Sequence, residues 1–188
     1  MRWQRLFADL QAEFEEAAAA AERAEDGSRR RAEVGGVRLA ERLAGAVGQP
    51  VAVRCRGAGE VTGLVLDVGA DWLLLRDDQH REVLVAAGGV TVVGGLTRQT
   101  VPAAAVAVRA RPDLRRAVRA LVRDRATVQV VLDDGTALLG TLDRVGADFV
   151  ELAEHPADRP RRAAEVRGVR TVALAAVAVV RTVPPSTG

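Results

Sequence analysis

The string VGADW at residues 68–72 decides how this chain reads, because it returns as VGADF at residues 145–149. A glycine stands five residues before each leading valine, at Gly63 and Gly140. A pattern that holds its register across unrelated flanks marks two copies of one folding unit. A shift of 77 residues sets Val51 on Val128, Val53 on Val130, Cys55 on Leu132, Val61 on Leu138, Val65 on Leu142 and Leu75 on Leu152. Cys55 opposite a leucine reads as a core thiol.

Around the string the chain alternates apolar and polar residues with the period of a strand. VAVRCRG (51–57), EVTGLVLDV (60–68), DWLLLRD (71–77), REVLV (81–85) and VTVVGG (90–95) make five strand-like runs, and Gly69-Ala70 supplies a tight turn. The second copy offers VQVVLDDG (128–135), ALLGTLDRV (137–145), DFVELAE (148–154) and a final run VALAAVAVVRTV (172–183). Gly63 and Gly140 fall in mid-strand, where glycine weakens a sheet unless the strand bends or bulges. A long bent second strand is how five strands close into a small barrel. The expected fold is mainly β with helices (α+β). An N-terminal helical segment precedes two Sm-like or SH3-like five-stranded barrels, each led by a helix.

The spacing resembles the first motif of the Sm-like family, which includes the LSm proteins and bacterial Hfq. Gly63, Val65, Val68, Asp71 and Leu75 match it, as do Gly140, Leu142, Val145, Asp148 and Leu152. The resemblance covers residues 37–96 and 113–183 and implies tandem small barrels. It implies no RNA pocket of the usual kind. The polar base-contacting residue after the turn is replaced by Trp72-Leu73 and Phe149-Val150, and Hfq's Lys-His pair by Leu174-Ala175 and Val85-Ala86. Arg167-Gly168 resembles the Arg-Gly of eukaryotic Sm second motifs, at a spacing that fits poorly.

Comparing the copies exposes a difference. Leu64, Leu66 and Leu74 align with Thr141, Asp143 and Glu151. Strand alternation points these positions away from the barrel interior, so the first barrel presents an apolar outer face and the second a wet one. An exposed leucine face needs a cover: the N-terminal helix, the linker or a partner subunit.

The helices are read from their periodicity. Trp3, Leu6, Phe7, Leu10 and Phe14 lie three and four apart, and an acidic and alanine-rich segment follows to residue 25. That is a helix with one apolar stripe, packed on its own chain or forming an oligomerisation seam. A second helix is expected over 37–47, stopped by Gly48 and Pro50. A third is expected over 113–124, with Asp113 as its N-cap. On it Arg115, Arg119 and Arg123 recur every four residues with Arg116 beside them, opposite Leu114, Val118, Leu121 and Val122. Such a face lies along phosphates or is simply solvated. Arg159, Arg161, Arg162, Arg167 and Arg170 form a second basic run in a long loop, a place where binding often resides. The domain plan is therefore a helix over 1–36, barrels over 37–96 and 113–183, a linker over 97–112 and a disordered tail over 184–188.

Composition sets the remaining bounds. The chain has no Lys, Ile, Asn or Tyr, as expected of a GC-rich bacterial genome, so its arginine content reflects codon usage before it reflects a ligand. The net charge is only +2, and nucleic-acid binding has to be argued from local patches. A single Cys excludes a disulfide within the chain. The N-terminus lacks the apolar core of a signal peptide, and no run of about 18 apolar residues suggests a membrane span. His80 and His155 fall in loops without matched carboxylates or thiols and read as solvated. No Ser–His–Asp set or phosphate loop is present. The expectation is a cytoplasmic, non-enzymatic protein without metal, cofactor or evident small-molecule substrate. It binds protein partners or itself through Trp3, Leu6, Phe7, Leu10, Phe14, Leu64, Leu66 and Leu74. The alternative is an RNA- or DNA-binding module using Arg115, Arg116, Arg119, Arg123, Arg161 and Arg162.

Overall fold

The computed structural model describes residues 15–16, 20, 22–25, 32, 34–101, 112–156 and 166–183. The chain divides into two compact units, Met1–Arg38 and Leu39–Gly188. In the first, residues 22–25 are helical; the stripe Trp3, Leu6, Phe7, Leu10 and Phe14 lies outside the described residues, as does the 184–188 tail.

The second unit is built on ten strands: β1 (Pro50–Cys55), β2 (Gly59–Val68), β3 (Trp72–Arg76), β4 (Glu82–Ala86), β5 (Val90–Gly94), β6 (Thr127–Leu132), β7 (Ala137–Val145), β8 (Phe149–Glu154), β9 (Gly168–Ala173) and β10 (Val177–Thr182). Helix α1 (Leu39–Ala44) precedes β1, and α2 (Leu114–Asp124) precedes β6. Helix α1 is shorter than its apolar spacing suggests. Gly45 passes so close to the Gln99 carbonyl, 2.6 Å from where a Cβ would stand, that the chain turns there, and Val47 ends exposed.

Two separate barrels are not what forms. All ten strands belong to one antiparallel sheet, in the order β5-β1-β2-β3-β4-β10-β6-β7-β8-β9. The reason lies in β4 and β10, which pair Val85 with Val179, Leu84 with Val180 and Val83 with Arg181. Both strands are buried on both faces: Val83, Leu84, Val85 and Ala86 in one, Val177, Ala178, Val179 and Val180 in the other. Their side chains divide between two cores. Val83, Val85, Ala178 and Val179 pack with Val53, Val65 and Leu75. Leu84, Ala86, Val177 and Val180 pack with Val118, Val130 and Leu152. Trp72 of the first half joins the second core, and Val131 of the second half joins the first. With each buried valine contributing about 1.5–3 kcal/mol, separating the halves would open both cores together.

The pairing registers of the halves correspond. Val51 faces Gly63 and Val128 faces Gly140. The β2–β3 ladder is interrupted between Val65 and Asp67, the β7–β8 ladder between Leu142 and Arg144. Gly63 lies where a Cβ would stand 2.5 Å from the Arg76 carbonyl oxygen, and a Cβ at Gly140 would overlap the Ala153 carbonyl. These glycines permit the strand to cross close over its neighbour. Gly69 and Gly146 have a related cause, since the rings of Trp72 and Phe149 fold back onto them and leave no room for a side chain. The final apolar run is not one strand. It divides into β9 and β10 at a 3₁₀ turn, Leu174–Ala176, which corresponds to the turn Ala87–Gly89 between β4 and β5.

Candidate interaction surfaces

The first copy of the repeated string grips the start of α2. Trp72 donates its indole N–H to the Pro112 carbonyl at 2.8 Å, and Ala70 N–H reaches the same oxygen at 3.2 Å. The Asp71 carboxylate accepts the Leu114 N–H at 2.6 Å, and Asp113 caps its own helix by accepting from Arg116 N–H at 2.8 Å. Two carboxylates therefore occupy the positive end of the helix, where a phosphate would otherwise bind. The second copy has no indole at Phe149, and Asp148 is exposed.

Helix α2 buries Leu114 and Val118 against the sheet, and Ala117, Leu121 and Val122 pack beside them. Its opposite side carries Arg116, Arg119 and Arg123, all exposed. Arg115 does not share that face. It is half-buried, its Nε without a hydrogen-bond partner among the described residues, and it lines a groove of about 400 Å³ with Asp71, Asp113, Asp148 and Leu174. The basic face thus consists of three arginines at spacings of three and four. Arg161 and Arg162 lie outside the described residues, and Arg170 pairs with Glu154 at 2.8 Å.

The three leucines of the supposed outer face separate. Leu74 packs against the second core, so the chain's own second half covers it. Leu66 is half-buried, and Leu64 is exposed. The aligned positions of the second half are not uniformly wet either, because Thr141 is buried with His155.

That histidine lies just past the end of β8, as expected, but it is not solvated. His155 is buried, with Nδ1 2.9 Å from the Pro156 carbonyl and Nε2 2.8 Å from the Thr141 hydroxyl. A carbonyl only accepts, so in the neutral ring Nδ1 donates and Nε2 accepts the hydrogen bond of the Thr141 hydroxyl. The pair closes the end of β8 over β7. His80 is exposed in the β3–β4 turn. Its neighbour Asp77 is the centre of that turn: it accepts from the backbone N–H groups of Gln79 and Arg81 and from the Arg81 guanidinium. Burial pushes the Asp77 carboxyl up, but the bonds and charge of Arg81, with the Gln79 N–H, outweigh it and hold the group below its ordinary value. Cys55 is buried, and that burial raises its thiol despite the nearby Arg181, so it behaves as a core residue.

Among the described residues, no group of His, Cys, Asp and Glu has the arrangement of a metal site, and no helix is long and apolar enough to cross a membrane.

The surface that sequence reading missed is at the two ends of the sheet. Among the described strands, β5 pairs only with β1 and β9 only with β8. Each carries a conspicuously exposed valine, Val92 at 59% and Val169 at 57%. Edge strands are usually protected by charge, proline or a covering element; β5, VTVVG, has neither charge nor proline, and β9, GVRTVA, has one arginine. The available signal was contrast. VLVA and VAVV are unbroken apolar runs, as strands buried on both faces require, whereas the sequences of β5 and β9 are mixed.

No family model matches this chain, and no curated protein or solved structure is significantly similar to it.

Proposed function

We propose that the chain is a non-catalytic, cytoplasmic structural or regulatory adaptor that works by associating with protein through the apolar surfaces of its sheet. The observation that carries this reading is the pair of edge strands, each with a single strand neighbour among the described residues and an exposed valine. Unpaired strand edges offer backbone hydrogen bonds to another chain, and apolar side chains beside them add burial. Leu64 and the stripe from Trp3 to Phe14 belong to the same reading as further apolar contacts.

A second reading is favoured by the exposed row Arg116, Arg119 and Arg123, which has the spacing to follow a phosphate backbone and makes the chain an RNA- or DNA-binding module. Salt separates the two. The protein is purified at low salt, and its mass and 260/280 nm absorbance ratio are read before and after a high-salt wash. Protein-only assemblies that persist in salt support the adaptor. Nucleic acid that salt removes, and that replacing the three arginines by alanine abolishes, overturns it in favour of the second reading.

A further inference from the structure

We propose that the turn at residues 146–149 is a docking site for a partner protein, and that it takes the first turn of a helix entered through a free carbonyl, a capping carboxylate and an apolar residue. This rests on the adaptor reading and gives it a second, more specific binding site.

The two copies of the repeated string build the same turn. Gly69 N–H bonds the Trp72 carbonyl and Gly146 N–H the Phe149 carbonyl, both at 2.8 Å. Ala87 N–H bonds the Asp71 carbonyl and Leu174 N–H the Asp148 carbonyl, again at 2.8 Å. In each turn the aromatic ring folds back over its glycine. Two backbones held so alike present their groups in the same way.

The first turn has an occupant from within the chain. Ala70 N–H holds the Pro112 carbonyl, the Asp71 carboxylate holds the Leu114 N–H, and Leu114 shares a core with Trp72. In the second turn Ala147 and Asp148 are exposed, and neither the Ala147 N–H nor the Asp148 carboxylate has a hydrogen-bond partner among the described residues. Phe149 is half-buried, whereas Trp72 is only 7% exposed. One copy thus shows what the other is shaped to hold. A carboxylate at that place also attracts the positive end of a helix.

The described helices of a second copy offer no matching start. The start of α2 is already held by the first turn. The 77-residue shift sets Gly35, Gly36 and Val37 on Pro112, Asp113 and Leu114. Val37 N–H already bonds the Val34 carbonyl at 3.1 Å, and Gly36 brings no capping carboxylate. The occupant is therefore a helix start of another protein, with the chemistry of Pro112, Asp113 and Leu114. Phe149 lacks the indole N–H that Trp72 gives to the carbonyl, so this docking is the weaker of the two and is reversible.

Fluorescence anisotropy tests the site. The probe is a labelled, acetylated and amidated peptide with the sequence of residues 112–124, titrated with full-length protein. It should bind the wild type. Asp148→Ala removes a charge-assisted hydrogen bond and should weaken binding about tenfold or more. Phe149→Trp adds the missing donor in a turn that already accommodates tryptophan in the first copy, and should tighten binding about fivefold. A scrambled peptide of the same composition should not bind, which separates recognition from attraction between its arginines and the protein's acids. Equal binding of the scrambled peptide, an affinity that neither substitution changes, or no binding by the wild type and Phe149→Trp alike would overturn the proposal. Assemblies of the chain that Asp148→Ala disperses would make a second copy the occupant and overturn it too. A peptide that fails while salt-resistant protein assemblies persist removes this site and leaves the adaptor reading standing on another surface.

Discussion

Replacing Gly140 by alanine should be among the most damaging single-methyl changes in this protein. The new Cβ would overlap the Ala153 carbonyl oxygen and stand 2.8 Å from its carbon, with the Glu154 Cα at 3.1 Å. All three neighbours are backbone, so no side chain can rotate away. Non-bonded carbons prefer separations of about 3.5–4.0 Å, and β8 must retreat from β7 to restore them. Overpacking of this kind costs about 1–3 kcal/mol. Weakening the two cross-strand hydrogen bonds nearest the contact adds about 1 kcal/mol each. The sum, about 3–5 kcal/mol, is a large share of the roughly 5–15 kcal/mol that holds a domain folded. At about 2–4 °C per kcal/mol for a chain of this size, Tm should fall by roughly 6–20 °C, with a matching shift in the urea midpoint. Gly88→Ala is the control, since a Cβ there meets nothing within 4 Å and φ is not positive; it should cost a few tenths of a kcal/mol. Equal and small effects at both positions would refute the idea that β7 needs glycine to pass beneath the β8 backbone.

Thr141→Val keeps the shape of the side chain but removes the hydroxyl that satisfies His155 Nε2. Stability should drop by about 1–3 kcal/mol, and most of the loss should vanish when His155→Leu is made in the same chain; additive effects would argue against the pair. For Asp77 the depressed folded-state value means its carboxylate contributes stability that is fully present above the unfolded value, near pH 4, and is lost as pH falls through the lower folded one. Arg81→Ala should raise the group and flatten that acid limb in urea titrations between neutral and strongly acidic pH. An unchanged limb would show that Asp77 takes its low value from elsewhere.

The β-rich character and the positions of most strands were legible because their physical causes are local, but the single ten-stranded sheet was not. Alternating apolar residues at Val51, Val53 and Cys55 mark β1, and the glycines at 63, 69, 140 and 146 stand where a carbonyl or a ring leaves no space. What escaped was set by partners distant in sequence. The run 172–183 read as one strand because Leu174-Ala175-Ala176 carries no turn residue, whereas the matching Ala87-Gly88-Gly89 does. Nothing local announced that Val85 would face Val179, so two closed barrels looked sufficient. His155 seemed solvated because its partner Thr141 lies on another strand. Of the arginine row, Arg116, Arg119 and Arg123 stand exposed as helical spacing suggests, while Arg115 turns into the groove beside the Asp71 and Asp113 caps.

The position of β10 also bears on how the chain is made. Residues 177–182 form the strand that enters the sheet between β4 and β6, long after both have left the ribosome. Until Thr182 has emerged, Val83 and Val85 border an open seam, and β6 lacks one of its two neighbours. The first half can form its hairpins as it is translated, but neither core can close before the tenth strand is available. Folding to the native sheet is thus a late event governed by contacts of high sequence separation, which are slow to form. Ribosome-bound chains stalled just short of β10 should bind chaperones through that seam, and those stalled beyond it should release them.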